Sequence, residues 1–414
     1  MMARRYLFLL YVLTTALFLC ANPAIGQVPS NPLGLNPFGL KWQQIKTERV
    51  EIVFPEELQP QAQRVANVVH YLWDNQRKSV GDKAEKVTIL LQNQTTNANG
   101  FVTVGPYRSE FYVTPPQFNI SGAADWLDLL AIHEYRHVQQ FSNSSRGVTK
   151  FFRTILGSWV WGGFLGTALP RWYLEGDAVG TETALTLGGR GRVPEFDMQY
   201  RALRLSGRKY GYEKASATSL KQFVPNHYNL GYYMTTYARI HFGADIWSKV
   251  VQDAVNFKGV FFPFSQGLHR YTGLRTRQLY RATMQELDSL WIQQDTTLQL
   301  TKATVVNQKK KATFTSYRNA QYEAEGVWLV EKSGFDKIRT LVRIYANGTE
   351  ETLTLPGIND EVNNTLSVVG SQVCWSELAY GVRWGLQDFS VVCLYDIKTK
   401  QKRRSTQQTR YFAP

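Results

Sequence analysis

The chain has 414 residues, 43% of them apolar and 13% aromatic, which excludes an intrinsically disordered protein and leaves room for two or three domains. Its net charge is +14, yet the lysines and arginines are scattered without aromatic interleaving, so no nucleic-acid module is expected. An anionic membrane surface or an acidic polymer suits that charge better.

The N-terminus opens with Arg4 and Arg5, continues through a mostly apolar run from Tyr6 to Cys20, and reaches the small residues Ala24 and Gly26 before Gln27. That order predicts a secretory leader over 1–26 and an exported protein, periplasmic, cell-envelope associated or secreted. The run is short for a membrane span. Lipid attachment at Cys20 is the weaker alternative, because Phe18 and Leu19 are bulky where such signals carry small residues. Removing the leader leaves a net charge of +12 and two cysteines, Cys374 and Cys393, too few for a four-thiolate zinc site but able to pair in an oxidising compartment.

Residues 27–46, rich in proline and glycine, read as an extended lead-in. "RVEIVF" then reads as a strand, and Val65, Val68, Val69 and Leu72 recur at helical spacing after Pro60. "KVTILLQ", "GFVTVG" and "EFYVT" are three further short strands split by turn-rich segments. From Asp125 to Phe141 the pattern is helical, and it remains mostly helical to about residue 298. Beyond the polar, basic "NQKKKATFTSYRN" only short alternating runs follow. "LVRIYANGTEE" at 341 and "VVCLYDIKTKQ" at 391 echo one another fifty residues apart, a period suited to the blades of a β-propeller. Two blades cannot close a ring, so an incomplete propeller is expected over 301–414.

The first long helix carries the chemistry. In "AIHEYRHVQQF" His133 and His137 stand four residues apart, one turn up the same helix face, so both imidazoles can aim at one point. That point suits a zinc ion, with Glu134 beside it to take a proton from water and pass it on. The bland alternative is a polar surface face, but Leu129, Leu130, Ala131, Ile132, Val138 and Phe141 surround the pair and predict burial. A catalytic zinc takes three protein ligands and keeps one open position, so a further ligand has to come from elsewhere in the chain.

"PRWYLEGDAVGTET", 170–183, resembles the third-ligand helix of gluzincin metallopeptidases, whose aminopeptidase branch carries tryptophan, two residues, then glutamate, glycine and, further on, alanine. The resemblance makes Glu175 the third zinc ligand. It also implies that Tyr228, three residues before Gly231, supports the oxyanion, with His227 as a competing donor. The chain departs from that pattern in lacking the G-x-M-E-N exopeptidase motif, whose edge-strand region corresponds roughly to "SEFYVT", and in placing Val179 four residues after Glu175 where thermolysin-type enzymes have aspartate. Small Gly176 and Ala178 are expected to let the ligand helix pack close to the histidine helix. Glu182 is either a carboxylate that orients a histidine ring or a surface group.

The whole resembles exported bacterial proteins in which a peptidase-like zincin domain precedes a TolB-type β-propeller. The implied fold class is α+β: a zincin-like domain over 47–300, made of a small N-terminal sheet plus a mainly helical lobe, followed by the all-β propeller segment. The implied function is zinc-dependent hydrolysis of a peptide or protein substrate. The alternative is a non-catalytic envelope scaffold with a structural zinc.

Three other features carry expectations. The uncharged stretch 154–170 reads as a buried hairpin or a membrane-facing flap. Loop 188–196 brings Arg190 and Arg192 either to a substrate carboxylate or to a solvated turn. A hairpin turning at Trp384 and Gly385 sets Cys374 opposite Cys393 for a cross-strand disulfide.

Overall fold

A computed structural model describes residues 34–75, 79–117, 122–259, 261–307, 313–358 and 365–411. The leader at 1–26, including Cys20, lies outside the described residues. What is described is a mixed α and β chain with three sheets, none of them closed.

The first sheet has the order β1-β2-β3-β5-β4, built from Trp42–Lys46, Val50–Pro55, Val87–Gln92, Tyr107–Tyr112 and Gly100–Val104 respectively. Strands β2, β3 and β5 run parallel, and β1 and β4 close the two edges antiparallel. Alternate residues Val50, Ile52 and Phe54 of β2 and Val87, Ile89 and Leu91 of β3 are buried, the period-two signature of a sheet with one fully covered face. The cover comes from α1 (Gln59–Asn75) and α2 (Trp126–Ser144), which share one core with those strands. Two expectations shift here. The lead-in ends in a true strand, Trp42–Lys46, paired to β2. The free edge is β4, whereas most of "SEFYVT" lies in β5, an inner strand.

The helical lobe follows. Helix α3 (Gly147–Ala168) bends back at Gly157, and α4 (Arg171–Leu185), α5 (Pro194–Leu205), α6 (Tyr212–Ala217), α7 (His227–Phe242), α8 (Ile246–Val255), α9 (Pro263–Thr272) and α10 (Thr276–Thr297) complete it. Its core is aromatic. Trp172 and Tyr173 of α4 pack on Trp247 of α8 and Phe264 of α9 at ring separations of 5.0–6.3 Å, which pins the start of α4. Gly176 of α4 and Gly231 of α7 let those two helices nearly touch: a Cβ on Gly176 would lie 1.9 Å from the Gly231 carbonyl carbon. Gly176 therefore admits α7, the helix of Tyr228, rather than α2, the helix of His133 and His137.

The remaining strands form two antiparallel meanders, β6-β7-β8-β9 (Thr315–Ala324, Val327–Gly334, Lys337–Tyr345, Glu350–Thr354) and β10-β11-β12-β13 (Leu366–Val369, Gln372–Tyr380, Asp388–Asp396, Gln401–Arg404). The fifty-residue echo falls on the third strand of each, β8 and β12. Leu329 and Leu341 of the first sheet meet Val373, Trp375, Val391 and Tyr395 of the second in a shared core. The second sheet also grips the N-terminal part: Asp388 accepts from the hydroxyls of Thr95 and Thr96, and Gly385 and Leu386 donate their N–H groups to the carbonyls of Gly34 and Leu35.

The disulfide expectation fails by one residue. Cys374 pairs across the strands with Leu394, and Cys393 with Trp375, so the two thiols sit on opposite faces and are free. In a structure with a side-chain period of two, a one-residue error in register inverts the face.

Candidate functional site

Helix α2 starts at Asp125, whose carboxylate caps the N–H groups of Leu127 and Asp128. Two turns later it presents His133, Glu134 and His137, all buried as the flanking apolar residues predict. Glu175 comes from the first turns of α4. Its Oε2 lies 3.5 Å from Nε2 of His133 and 3.4 Å from Nε2 of His137. Those separations are long for hydrogen bonds. They match the edge of a tetrahedron, since donor atoms about 2 Å from a common centre stand about 3.3–3.4 Å apart. The three ligand atoms lie within 4.8 Å of one another, so the residues present fit a divalent cation of zinc type.

Each imidazole is held by its other nitrogen. Nδ1 of His133 is 2.8 Å from Oε2 of Glu182, so Glu182 is the orienting carboxylate and no surface group. Arg190 forks onto the same carboxylate, Nε to Oε1 at 2.8 Å and Nη2 to Oε2 at 2.9 Å, while Nη2 also lies 2.7 Å from Nδ1. A carboxylate accepts only, and the guanidinium is already served by it, so the proton belongs on Nδ1 and the Nε2 lone pair faces Glu175. Nδ1 of His137 donates to Oε1 of Gln140 (2.9 Å). That amide cannot be reversed, because its Nε2 donates to Leu174 O and to Asp177 Oδ2, at 3.0 and 2.8 Å. Asp177 in turn accepts from Arg136 at 2.7 and 3.1 Å and from Arg239.

Charge follows geometry. Burial opposes ionisation of Glu175, but His137 and His133 outweigh it and hold the carboxyl well below the ordinary range. Burial likewise opposes the His137 imidazolium, but Glu175 and Glu134 hold it up to about 9. For Asp177 the two arginines overcome burial and keep it ionised, and for Glu182 Arg190 does the same, to about 2. Glu134 is different: burial dominates and raises it, and its Oε2 is buried with no hydrogen-bond partner among the described residues.

Tyr228 stands at the start of α7, capped by Asn226, with its ring 6.4 Å from that of His133 and the Arg190 guanidinium 5.1 Å over the centroid of its ring. Burial raises its phenol, so it is a neutral donor. His227 packs on it at 4.6 Å. Gly100, at the start of the free edge strand β4, passes so close to α2 that a Cβ there would meet Leu130 at 2.6 Å and Glu134 at 3.1 Å. The edge strand thus runs beside Glu134.

Sequence reasoning missed Gln140, Asp177 and the true role of Arg190. Loop 188–196 is neither a substrate clamp nor a solvated turn at Arg190: a one-turn 3₁₀ helix, Arg190–Arg192, folds back on α4. It does so because Gly189, at φ 89°, passes where a Cβ would lie 2.8 Å from the Thr183 backbone. Val179, at the position where thermolysin-type enzymes have aspartate, is a fully buried core residue. Glu182, two turns after Glu175, holds the histidine instead.

Replacing Glu182 by Gln keeps the shape but removes the charge that orients His133. Cation affinity is expected to fall about 10–100-fold, as read by competition with a chromogenic chelator. Unchanged affinity would show that the ring is held by packing alone. No protein-family model matches the chain, and no curated protein matches it.

Proposed function

We propose that the protein is an exported, zinc-dependent peptide hydrolase of the gluzincin type, with a zincin-like domain and an incomplete β-propeller segment that presents substrate. The observation that carries this reading is the convergence of His133, His137 and Glu175 on one point, with the unpartnered Glu134 carboxylate on the same helix.

His133, His137 and Glu175 would hold a zinc ion, which would supply Lewis acidity toward a peptide carbonyl and toward water. Everything else is done by the chain's own groups. Glu134 takes the proton of the attacking water on its free oxygen and delivers it to the departing amine. Tyr228 donates its hydroxyl to the carbonyl oxygen as negative charge develops there. Glu182 and Gln140 keep the two imidazoles aimed, and the Arg190 and Asp177 networks keep those two in place. The free edge of β4 beside Glu134 supports an extended peptide as substrate.

The test is digestion of a defined peptide library. Cleavage is expected, is expected to stop when the protein is stripped by a chelator, and is expected to return on adding zinc. If no peptide is cut under any loading, the scaffold reading replaces this one.

A further inference from the structure

Helix α3 is a hairpin. It reverses at Gly157, where φ is 81°, and Phe152 and Phe164 stack with ring centroids 4.0 Å apart. In a straight helix those residues would stand about 18 Å apart along the axis. One face of the hairpin is anchored: Trp161 is 1% exposed, 6.2 Å from Phe141 and under the Arg153 guanidinium at 4.6 Å.

The tip is the reverse. Ile155 is 61% exposed, Leu156 49% and Trp159 68%, with Phe151 at 57% one turn back. Four large apolar side chains thus stand exposed around one reversal, a concentration that water alone does not favour. The adjoining loop after α8, whose Phe257 packs on Phe164, adds Phe261 and Phe262, 77% and 80% exposed.

The charge around this patch has one sign. From Tyr135 to Leu174 the chain contains no aspartate or glutamate, while Arg146, Lys150, Arg153 and Arg171 fall within it. Among the described residues, Asp82 is paired with Arg146 and Glu85 with Arg153. Lys83 and Lys150 add further positive charge; burial first, then Arg146 and Lys150, lower the proton affinity of Lys83, while Asp82 and Glu85 oppose them. Lys150 is exposed and lies about 9 Å from Leu156 along the helix. That is the separation between the acyl boundary and the headgroups for a shallowly inserted element.

We propose that the tip of this hairpin docks the protein on an anionic lipid bilayer, inserting Ile155, Leu156 and Trp159 at the interface while Lys150 and its neighbours meet the headgroups. No described helix is long and apolar enough to cross a membrane, which agrees with insertion from one side only. Through Trp161, Phe141 and His137, ring contacts of 6.2 and 6.3 Å join the hairpin to the candidate metal site, so docking sets that site beside the lipid surface. The proposal stands without the hydrolase reading and uses neither zinc nor turnover.

The test is flotation of the chain from Gln27 onward, which contains every described residue, with vesicles of phosphatidylcholine alone or with 30% phosphatidylglycerol. Binding to the anionic vesicles is expected, about fivefold weaker for Lys150→Gln and weakened by salt. The Ile155→Ser, Trp159→Ser double variant is expected to lose at least about tenfold in partitioning with an unchanged melting temperature, since both side chains are exposed. Equal flotation of parent and double variant overturns the proposal. So does a parent that ignores anionic vesicles, or light scattering that finds a stable dimer broken by the same double variant, because a second copy then covers the tip.

Discussion

A chain with Glu134→Gln is expected to keep its cation and to lose peptide hydrolysis by on the order of 10²–10⁴ in kcat. The substitution changes almost nothing but the ability to accept a proton. The side chain is buried, its Oε2 has no partner among the described residues, and neither histidine depends on it for orientation. The amide fills the same space, so the ligand positions of His133, His137 and Glu175 are retained. Kinetics and metal content must therefore be read on the same preparation. Retained zinc with lost turnover is the outcome the mechanism requires. If the variant cleaves as fast as the parent, the base is elsewhere and Glu134 is only a buried carboxylate.

The second large effect is on stability. Asp177 is fully buried and accepts from Arg136, Gln140 and Arg239, so it ties α2, α4 and α7 together beneath the site. Asp177→Ala leaves a fully buried guanidinium on Arg136 without its carboxylate. Breaking a buried pair from one side costs about 3–5 kcal/mol, because the remaining charge has no solvent to turn to. Chemical denaturation is expected to show that loss, and Gln140, freed from Asp177, should hold His137 less firmly. A loss under about 1 kcal/mol would mean that water reaches Arg136 and that the network contributes little.

The contrast between what the sequence discloses and what it hides follows from how local each feature is. His133, Glu134 and His137 are legible because one helical turn fixes their relation, and the echo at residues 341 and 391 is legible because each copy is a strand with its own turn. Glu175 is legible only through a resemblance, since nothing local says which carboxylate of the chain meets the histidines. Gln140 and Asp177 lie close in sequence to the ligands, yet an amide and an acid on a helix look like solvated groups until the second helix is laid against the first. Arg190 could not be placed because its position depends on Gly189 folding a loop over α4. The hairpin of α3 is half legible: the uncharged stretch 154–170 suggests a buried hairpin or a flap, but its helical form, its start at 147 and its exposed tip are set by the reversal at Gly157 and by the Phe152–Phe164 stack, a tertiary contact. The cysteine pairing fails through register, which composition does not encode.

The most direct measurement is zinc content by elemental analysis of the purified protein after equilibration with micromolar zinc and desalting, for the parent and for the His137→Ala, Glu175→Ala double variant. About one ion per chain in the parent, and loss of it in the folded double variant, is the predicted result. A parent that emerges without zinc, or a double variant that holds as much as the parent, would contradict the account.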